Sequence, residues 1–427
     1  MPEINTRLNM IGKKSIMLLI ILFPAISFAQ LKLDSAYNLA RRNYPLVKQK
    51  DLIRQTADIS IDNLGKGFLP QFSVSGQATY QSAVTKIDVP IPGIKINSLS
   101  RDQYKLVADV NQLIYDGGVT KQQKVMQQLN ANVEDQKIEV ELYMLKQRIS
   151  QIYLSILYLD AQLRQVELVK ADLQTGMKQV QAQVQNGVAF KSNLNLLEAE
   201  LLKSDQKLIE LQSSRKGFTE TLGLFLGRDM PENVILEKPV VQTAGSNSLN
   251  RPEIKLYDSQ SRLFDHQNKL INSKNLPKTS LFVEGGYGRP GLDLLKNEFD
   301  FFYIGGIRLN WLLGGLYTSK KEKQLVEINK KIVDIQKQTF LLNTNTQIKQ
   351  QQSEIEKLEK LVASDNEIID LRIKVKDEAR AQLENGVITA NDYLREVNAE
   401  DQARQTLIMH ELQLLEAKIN YQNTLGE

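Results

Sequence analysis

Short landmarks occur twice along this sequence, in the same order and at nearly constant spacing. The members of a pair lie 207, 197 or 199 residues apart. The pairs are Asn43-Tyr44-Pro45 with Asn250-Arg251-Pro252, Leu69-Pro70 with Leu276-Pro277, Gly117-Gly118 with Gly314-Gly315, Asn186-Gly187-Val188 with Asn385-Gly386-Val387, and Leu226-Gly227 with Leu425-Gly426. A recurring period indicates that one structural unit is built more than once. The chain is therefore predicted to contain two copies of one unit.

The landmarks also give predicted boundaries. Residues 30–227 form the first repeat and residues 250–427 the second. Residues 228–249 form the linker between them, because Pro231, Pro239 and Gly245 interrupt every regular period there. Shorter helices, from about Leu33 to Asn63 and from about Glu253 to Asn272, are expected at the start of each repeat.

Residues 1–29 have the pattern of a secretory signal peptide. Lys13 and Lys14 precede an apolar run from Ile16 to Phe28, which ends in small residues, and cleavage is expected after Ala29. The run is shorter than the roughly 20 residues that a membrane-spanning helix needs. We therefore expect the protein to be exported.

Each repeat contains two stretches in which apolar and polar residues alternate. This period of two is typical of a strand with one apolar face. Four strands of about 10 to 15 residues are predicted, near residues 71–80, 103–111, 281–287 and 299–311. The side chains expected to face lipid are Phe72, Val74, Tyr80, Tyr104, Val110, Val283, Tyr303, Ile307 and Trp311.

Beyond each Gly-Gly pair the apolar period changes to that of a coiled coil. Apolar residues from Ile138 to Val166 are separated by alternating steps of four and three. A helix is predicted from Gly118 to Gln185, with a matching helix from Tyr317 to Glu384. Asn-Gly then marks a reversal, and a second helix returns in each repeat, from about Ser192 to Leu222 and from about Asn391 to Asn423.

Four strands with one apolar face leave two unpaired edges, and an unpaired backbone group in lipid costs several kcal/mol. The edges are therefore expected to pair with other copies of the chain. An eight-stranded barrel from a dimer would be filled by side chains, whereas a twelve-stranded barrel from a trimer leaves a conduit. The alternative from this pattern is a soluble two-sheet sandwich with aromatic residues in its core.

Composition excludes several classes of function. The chain has 54 basic and 50 acidic residues, which is too even a balance for a nucleic-acid-binding protein. Cysteine is absent, so disulfides and thiolate metal sites are excluded. His266 and His410 have no ligand partners at metal-binding spacing and are expected to be solvated. We predict no catalytic site, no metal and no cofactor.

The order and spacing of these landmarks resemble the outer-membrane efflux proteins of the TolC type, over essentially the whole mature chain. The resemblance implies a mainly helical fold with membrane strands. A trimeric twelve-stranded barrel in the outer membrane would continue into a periplasmic helical barrel. It implies an exit duct for small molecules or proteins in a tripartite efflux or type I secretion system. The implied partners are outer-membrane lipid, a periplasmic adaptor and an inner-membrane transporter.

The same resemblance places the periplasmic mouth at the two helix reversals, Gly187 and Gly386. Asp392 falls on an acidic gate position of the family, whereas the next family aspartate falls on Arg395. The acidic position of the first repeat falls on Asn193. The closed mouth is therefore expected to be held differently here, with Arg395 as the counter-charge of Asp392. For Asp392, a helix N-terminal charge is an equally good interpretation.

Two other classes of function remain open from the sequence. A periplasmic adaptor also carries a signal peptide and a long helical hairpin, but it has one hairpin and a compact β-domain. An envelope coiled-coil protein without a pore is the other. The repeat and the four amphipathic strands argue against the adaptor. The sequence does not identify the cargo.

Overall fold

The computed structural model describes residues 30–85, 98–241 and 249–427. The predicted signal peptide lies outside the described residues. Two tandem sets of elements follow one another. The first comprises α1 (Leu33–Asn43), α2 (Val47–Lys66), β1 (Gln71–Tyr80), β2 (Asp102–Tyr115), α3 (Val119–Gln185) and α4 (Lys191–Leu226). The second comprises α5 (Pro252–Lys274), β3 (Lys278–Arg289), β4 (Asp300–Asn310), α6 (Gly315–Glu384) and α7 (Ala390–Leu425).

The four strands form one antiparallel sheet in the order β1-β2-β3-β4. The two repeats meet at the centre of the sheet, where Val110 on β2 pairs with Val283 on β3. No described strand pairs with the outer edge of β1 or of β4. The barrel predicted from the sequence is therefore not closed within one chain.

Two long helical hairpins extend from the sheet. α3 has 67 residues and α6 has 70, and each returns through a helix of 36 residues. At 1.5 Å per residue each long helix is roughly 100 Å long. The heptad residues predicted to form a seam are buried or half-buried, with Ile149 and Ile156 fully inaccessible to solvent. No helix in the described parts of the chain is long and apolar enough to cross a membrane.

One helix boundary differs from the prediction. The helix expected from Leu33 to Asn63 is broken into α1 and α2 at Tyr44-Pro45-Leu46. Tyr44 has extended backbone angles (φ −66°, ψ 123°). The proline ring excludes the helical conformation for the residue before it, so Pro45 ends α1.

The linker packs into the largest apolar core rather than running free. Leu236 forms a parallel bridge with Leu31, and the fully buried Tyr153 of α3 donates a hydrogen bond to the carbonyl oxygen of Glu237 (2.7 Å). Arg215 of α4 donates to Asp160 (2.5 Å) and to the carbonyl oxygen of Val234 (2.7 Å). These contacts attach the linker to the middle of the helical hairpins.

Candidate functional site

The strand register gathers the predicted lipid-facing side chains on one face of the sheet, which we call the outer face. Phe72 pairs with Val110, and Val110 in turn with Val283. Eight of the nine predicted residues lie on this face: Phe72, Val74, Tyr80, Tyr104, Val110, Val283, Tyr303 and Ile307. Val74 is 74% exposed and Tyr303 is 82% exposed in the isolated chain. Contact of this face with lipid stays a prediction.

Trp311 is the exception. β4 ends at Asn310, and the Trp311 indole nitrogen donates to the carbonyl oxygen of Asn275 at 3.0 Å. The alternation of apolar residues continues to Trp311, one residue past the end of the strand, so the predicted strand is one residue too long at this end. Trp311 instead links the end of β4 to the end of α5.

Aromatic residues cluster on the outer face at the end of the sheet where β1 and β3 end and β2 and β4 begin. The ring centroids of Tyr104 and Phe299 are 6.2 Å apart, and those of Tyr287 and Phe301 are 4.6 Å apart. The Arg289 guanidinium lies over Tyr104 and Phe299 and forms an ion pair with Asp102. Aromatic side chains of this kind mark the interfacial girdles of membrane barrels.

The opposite face, here called the inner face, is polar along β1, with Ser73, Ser75 and Gln77, whereas β3 and β4 add phenylalanines to it. Phe282 and Phe302 point to this side, as the neighbours of the outer-face positions Val283 and Tyr303. Phe302 is only 7% exposed. Sequence reasoning missed these residues because it assigned every apolar residue in a strand to one face.

At the far end of the hairpins, Gly187 and Gly386 make the two reversals in the same way. Both adopt left-handed backbone angles (φ +74° and +71°), which favour glycine. The backbone N–H of the valine after each glycine donates to the carbonyl oxygen five residues earlier. Val188 donates to Gln183 (2.9 Å) and Val387 to Gln382 (2.9 Å). This is the Schellman pattern of helix termination. The two reversals adjoin, since the Gln183 side chain donates to the carbonyl oxygen of Leu383 (2.6 Å).

Asp392 closes the N-terminus of α7. Its carboxylate accepts from the Thr389 hydroxyl (2.7 Å) and backbone amide (3.1 Å), and the Asp392 amide donates to the Thr389 hydroxyl (3.3 Å). This reciprocal pair is a capping box. The two hydrogen bonds from Thr389, with a smaller effect of Arg395, lower the pKa of Asp392. Asn193 has the matching position in α4, but Phe190 stands at the cap and no side-chain cap forms.

Arg395 acts on Asp392 only through the smaller charge effect on its pKa, and the expected direct ion pair does not form. Its Nε donates to the Glu396 carboxylate at 3.2 Å, and Arg395 lies on the exposed side of α7. The mouth therefore has no direct Asp392–Arg395 ion pair in this chain.

A buried ionic network lies further up the hairpins and joins three helices. Lys376 of α6 lies 2.7 Å from Asp172 of α3 and 2.5 Å from Glu400 of α7. Arg404 adds a second contact to Glu400 (2.6 Å). Lys376 is 8% exposed and Glu400 is 4% exposed. Lys376 occupies the buried stripe of α6 seven residues after Ile369, and that spacing was the sequence signal that could have revealed it.

The partners of this network reverse the effect of burial on its charges. Burial disfavours a charged lysine, but the hydrogen bonds to Asp172 and Glu400 outweigh it and raise the pKa of Lys376. Burial likewise opposes the Glu400 carboxylate, but Lys376 and Arg404 lower its pKa. Burial raises the pKa of Asp401, and the hydrogen bonds from Gln165 and Gln405 lower it by less, so the pKa stays above its ordinary value. Both charges of the Lys376–Glu400 pair are therefore stabilised.

Both histidines are half-buried, so the prediction that they are solvated holds only in part. His410 Nδ1 lies 2.6 Å from the buried Asp365 carboxylate, which joins α7 to α6. His266 has a buried Nε2 without a hydrogen-bond partner, and burial, then Lys269, lowers its pKa. Their flanking sequences are polar, but packing between neighbouring helices half-buries both residues. Neither belongs to a metal-binding group in the described residues.

Residues 36–228 match the sequence model of the family described as outer membrane efflux protein. A search of curated protein sequences found no match. Solved structures share the fold. The outer membrane protein VceC from Vibrio cholerae superposes with a TM-score of 0.65 at 14% identity, covering 92% of this chain and 96% of VceC. For the Campylobacter jejuni CmeC outer membrane channel the values are 0.63, 13%, 92% and 85%.

The open state of the Neisseria gonorrhoeae MtrE outer membrane channel gives a TM-score of 0.60 at 13% identity, covering 92% of this chain and 88% of MtrE. The resemblance stated from the sequence is thereby confirmed, and the fold is that of these channels.

Proposed function

We propose that this chain, whose residues 36–228 belong to the outer membrane efflux protein family, is one subunit of an outer-membrane exit duct. Three chains form a twelve-stranded barrel in the outer membrane, and their hairpins form a helical tunnel through the periplasm. The duct is passive and has no catalytic site. An adaptor and an inner-membrane transporter supply the cargo at the periplasmic end.

The observation that carries this proposal is the outer face of the sheet. Four strands of 10 to 14 residues match the length of a tilted strand that crosses a bilayer. An exposed apolar face with two unpaired edges is stable in neither water nor lipid until the edges pair. Joining β1 of one chain to β4 of the next removes every edge after three copies.

Contacts between the two hairpins of one chain keep the periplasmic mouth closed. The α6–α7 hairpin is attached to α3 through Lys376 and Asp172, and through Tyr393, whose ring packs against Gly176. These contacts hold the two hairpins of one chain together at the tunnel end. Opening the mouth requires that they separate or shift.

The helix reversals offer a docking surface for the adaptor. Val188, Phe190 and Val387 are 77%, 82% and 71% exposed at the tips of the hairpins. Apolar side chains held outward by rigid turns favour a partner with a complementary apolar tip.

Fractionation and conductance together test the proposed function. The purified protein is expected to run as a heat-resistant trimer from the outer-membrane fraction and to conduct ions in a planar bilayer. A soluble periplasmic monomer would indicate an adaptor. A membrane-bound trimer without conductance would indicate a coiled-coil protein without a pore.

A further inference from the structure

Two phenylalanine rings on the inner face of the sheet lie close to glycines of the neighbouring strand. Phe282 on β3 pairs with Gly306 on β4, and Phe302 on β4 pairs with Gly286 on β3. A Cβ at Gly306 would lie 3.2 Å from the Phe282 ring, and one at Gly286 would collide with Phe302. The glycines therefore leave the space in which each ring rests on the strand.

A cation covers each ring. The Arg308 guanidinium carbon lies 4.3 Å from the ring centroid of Phe282, and Lys105 Nζ lies 4.7 Å from that of Phe302. A cation over the face of an aromatic ring is attracted by the negative face of the ring. The two cations differ in their other contacts. Lys105 lies 3.4 Å from the Glu284 carboxylate, whereas Arg308 has no ion pair within the described residues.

We propose that Arg308, held on Phe282, is a binding site for organic anions that pass through the barrel, above all aromatic carboxylates and sulfonates. This inference rests on the proposed function, which makes the inner face the wall of the lumen. Guanidinium presents a planar fork of N–H donors that matches a carboxylate or sulfonate. Its exposed side can also stack on an aromatic ring of the ligand.

The acidic residues of the inner face do not cancel this site. Asp109 and Glu284 face one another across β2 and β3, and Glu284 is four residues from the row of Arg308, which corresponds to roughly 13 Å along the strands. That separation exceeds the Debye length of about 8 Å at physiological salt. Threefold symmetry would place three Arg308 side chains at one level of the lumen, so that one anion could meet a second site before it leaves.

Block of single-channel current tests the site directly. The probe is 2-naphthalenesulfonate added to one side of a planar bilayer that contains the full-length trimer, with neutral 2-naphthol as the matched probe. We expect the sulfonate, but not the naphthol, to reduce the current. Arg308→Gln should weaken this block by about tenfold, the worth of one charge-assisted hydrogen-bonded contact. Arg308→Lys keeps the charge without the fork and should restore only part of the block.

Two controls separate the site from general electrostatics. Lys105 is the other stacked cation on the inner face, and it lies in the row of Gly288, eight residues along β3 from the row of Arg308. Lys105→Gln removes the same charge and should leave the block within twofold of wild type. Phe282→Leu removes the stacking platform and should weaken the block with Arg308 intact. Equal block of wild type and Arg308→Gln, in channels that conduct normally, overturns the site but leaves the proposed function standing. Absence of any conductance overturns both.

Discussion

Lys376 of α6 lies 2.7 Å from Asp172 of α3, and this buried ion pair joins the second hairpin to the first. Replacing Lys376 with methionine leaves the half-buried Asp172 without this cation and the buried Glu400 with Arg404 alone. Loss of one partner from a buried pair costs about 3 kcal/mol. We expect Lys376→Met to lower the thermal stability of the trimer and to raise its conductance and the leakage of antibiotics.

Lys374 provides the matched control for this substitution, since it is an exposed lysine two residues away on the same helix. Lys374→Met should change neither quantity. If Lys376→Met conducts and melts like wild type, the network does not hold the hairpins together.

The ionic network also predicts a pH dependence with two opposing parts. The pKa of Glu400 is lowered, so its contribution to stability exists above the ordinary carboxyl pKa and is lost as the pH falls through the folded-state value. The pKa of Asp401 is raised, so the folded state binds a proton more readily than the unfolded state. The contribution of this group to stability therefore rises as the pH falls through its folded-state pKa towards the ordinary carboxyl pKa.

Asp401→Asn isolates the second part. The variant should be more heat-stable than wild type at neutral pH, and it should lose the gain in stability on mild acidification. Thermal unfolding followed by circular dichroism between neutral and mildly acidic pH measures both effects. A variant less stable than wild type at neutral pH would show that the charged form of Asp401 stabilises the fold.

The faces of the sheet should differ in their tolerance of charge. Val74→Arg places a cation on the outer face, where it should cost roughly 2–4 kcal/mol near the bilayer midplane and disrupt assembly. Ser75→Arg places the same side chain on the inner face and should assemble normally. Trimer yield in the outer-membrane fraction measures the difference, and equal yields would reverse or abolish the assignment of the two faces.

Asp392 has two candidate roles that a pair of variants separates. Thr389→Ala and Asp392→Ala both break the capping box, so a purely structural role predicts equal, small changes in conductance. A gate role predicts that Asp392→Ala changes conductance and cation block more than Thr389→Ala does, with trimer yield unchanged in both. Single-channel recording decides between them. Equal effects would leave closure of the mouth to apolar contacts and the buried network.

The sequence predicted those parts of the fold that a local period encodes. The alternation of apolar and polar residues predicted both ends of β1 correctly. The predicted start of α3, Gly118, lies one residue before its actual start at Val119. The break at Pro45 was missed because the apolar period continues across it. Trp311 was assigned to β4 for the same reason, since the alternation outlasts the strand.

The remaining features of the site depend on contacts between distant parts of the chain. The Lys376 network joins residues from three helices, and a search for apolar heptads does not register a buried lysine. The Arg308–Phe282 stack depends on the register between β3 and β4, which no local pattern specifies. Arg395 was paired with Asp392 from spacing alone, whereas in the structure the Asp392 carboxylate accepts hydrogen bonds from Thr389.

The central claim is that β1 of one chain pairs with β4 of the next, and disulfide trapping tests it without background because the chain has no cysteine. Ser75→Cys on β1 is combined in turn with a single cysteine at each inner-face position of β4 from Phe302 to Asn310. A disulfide needs Cβ atoms about 4 Å apart, so one or two combinations should give covalent dimers and trimers in outer membranes, and the single cysteines should give none. Failure of every combination, in protein that reaches the outer membrane, would contradict the closed three-chain barrel.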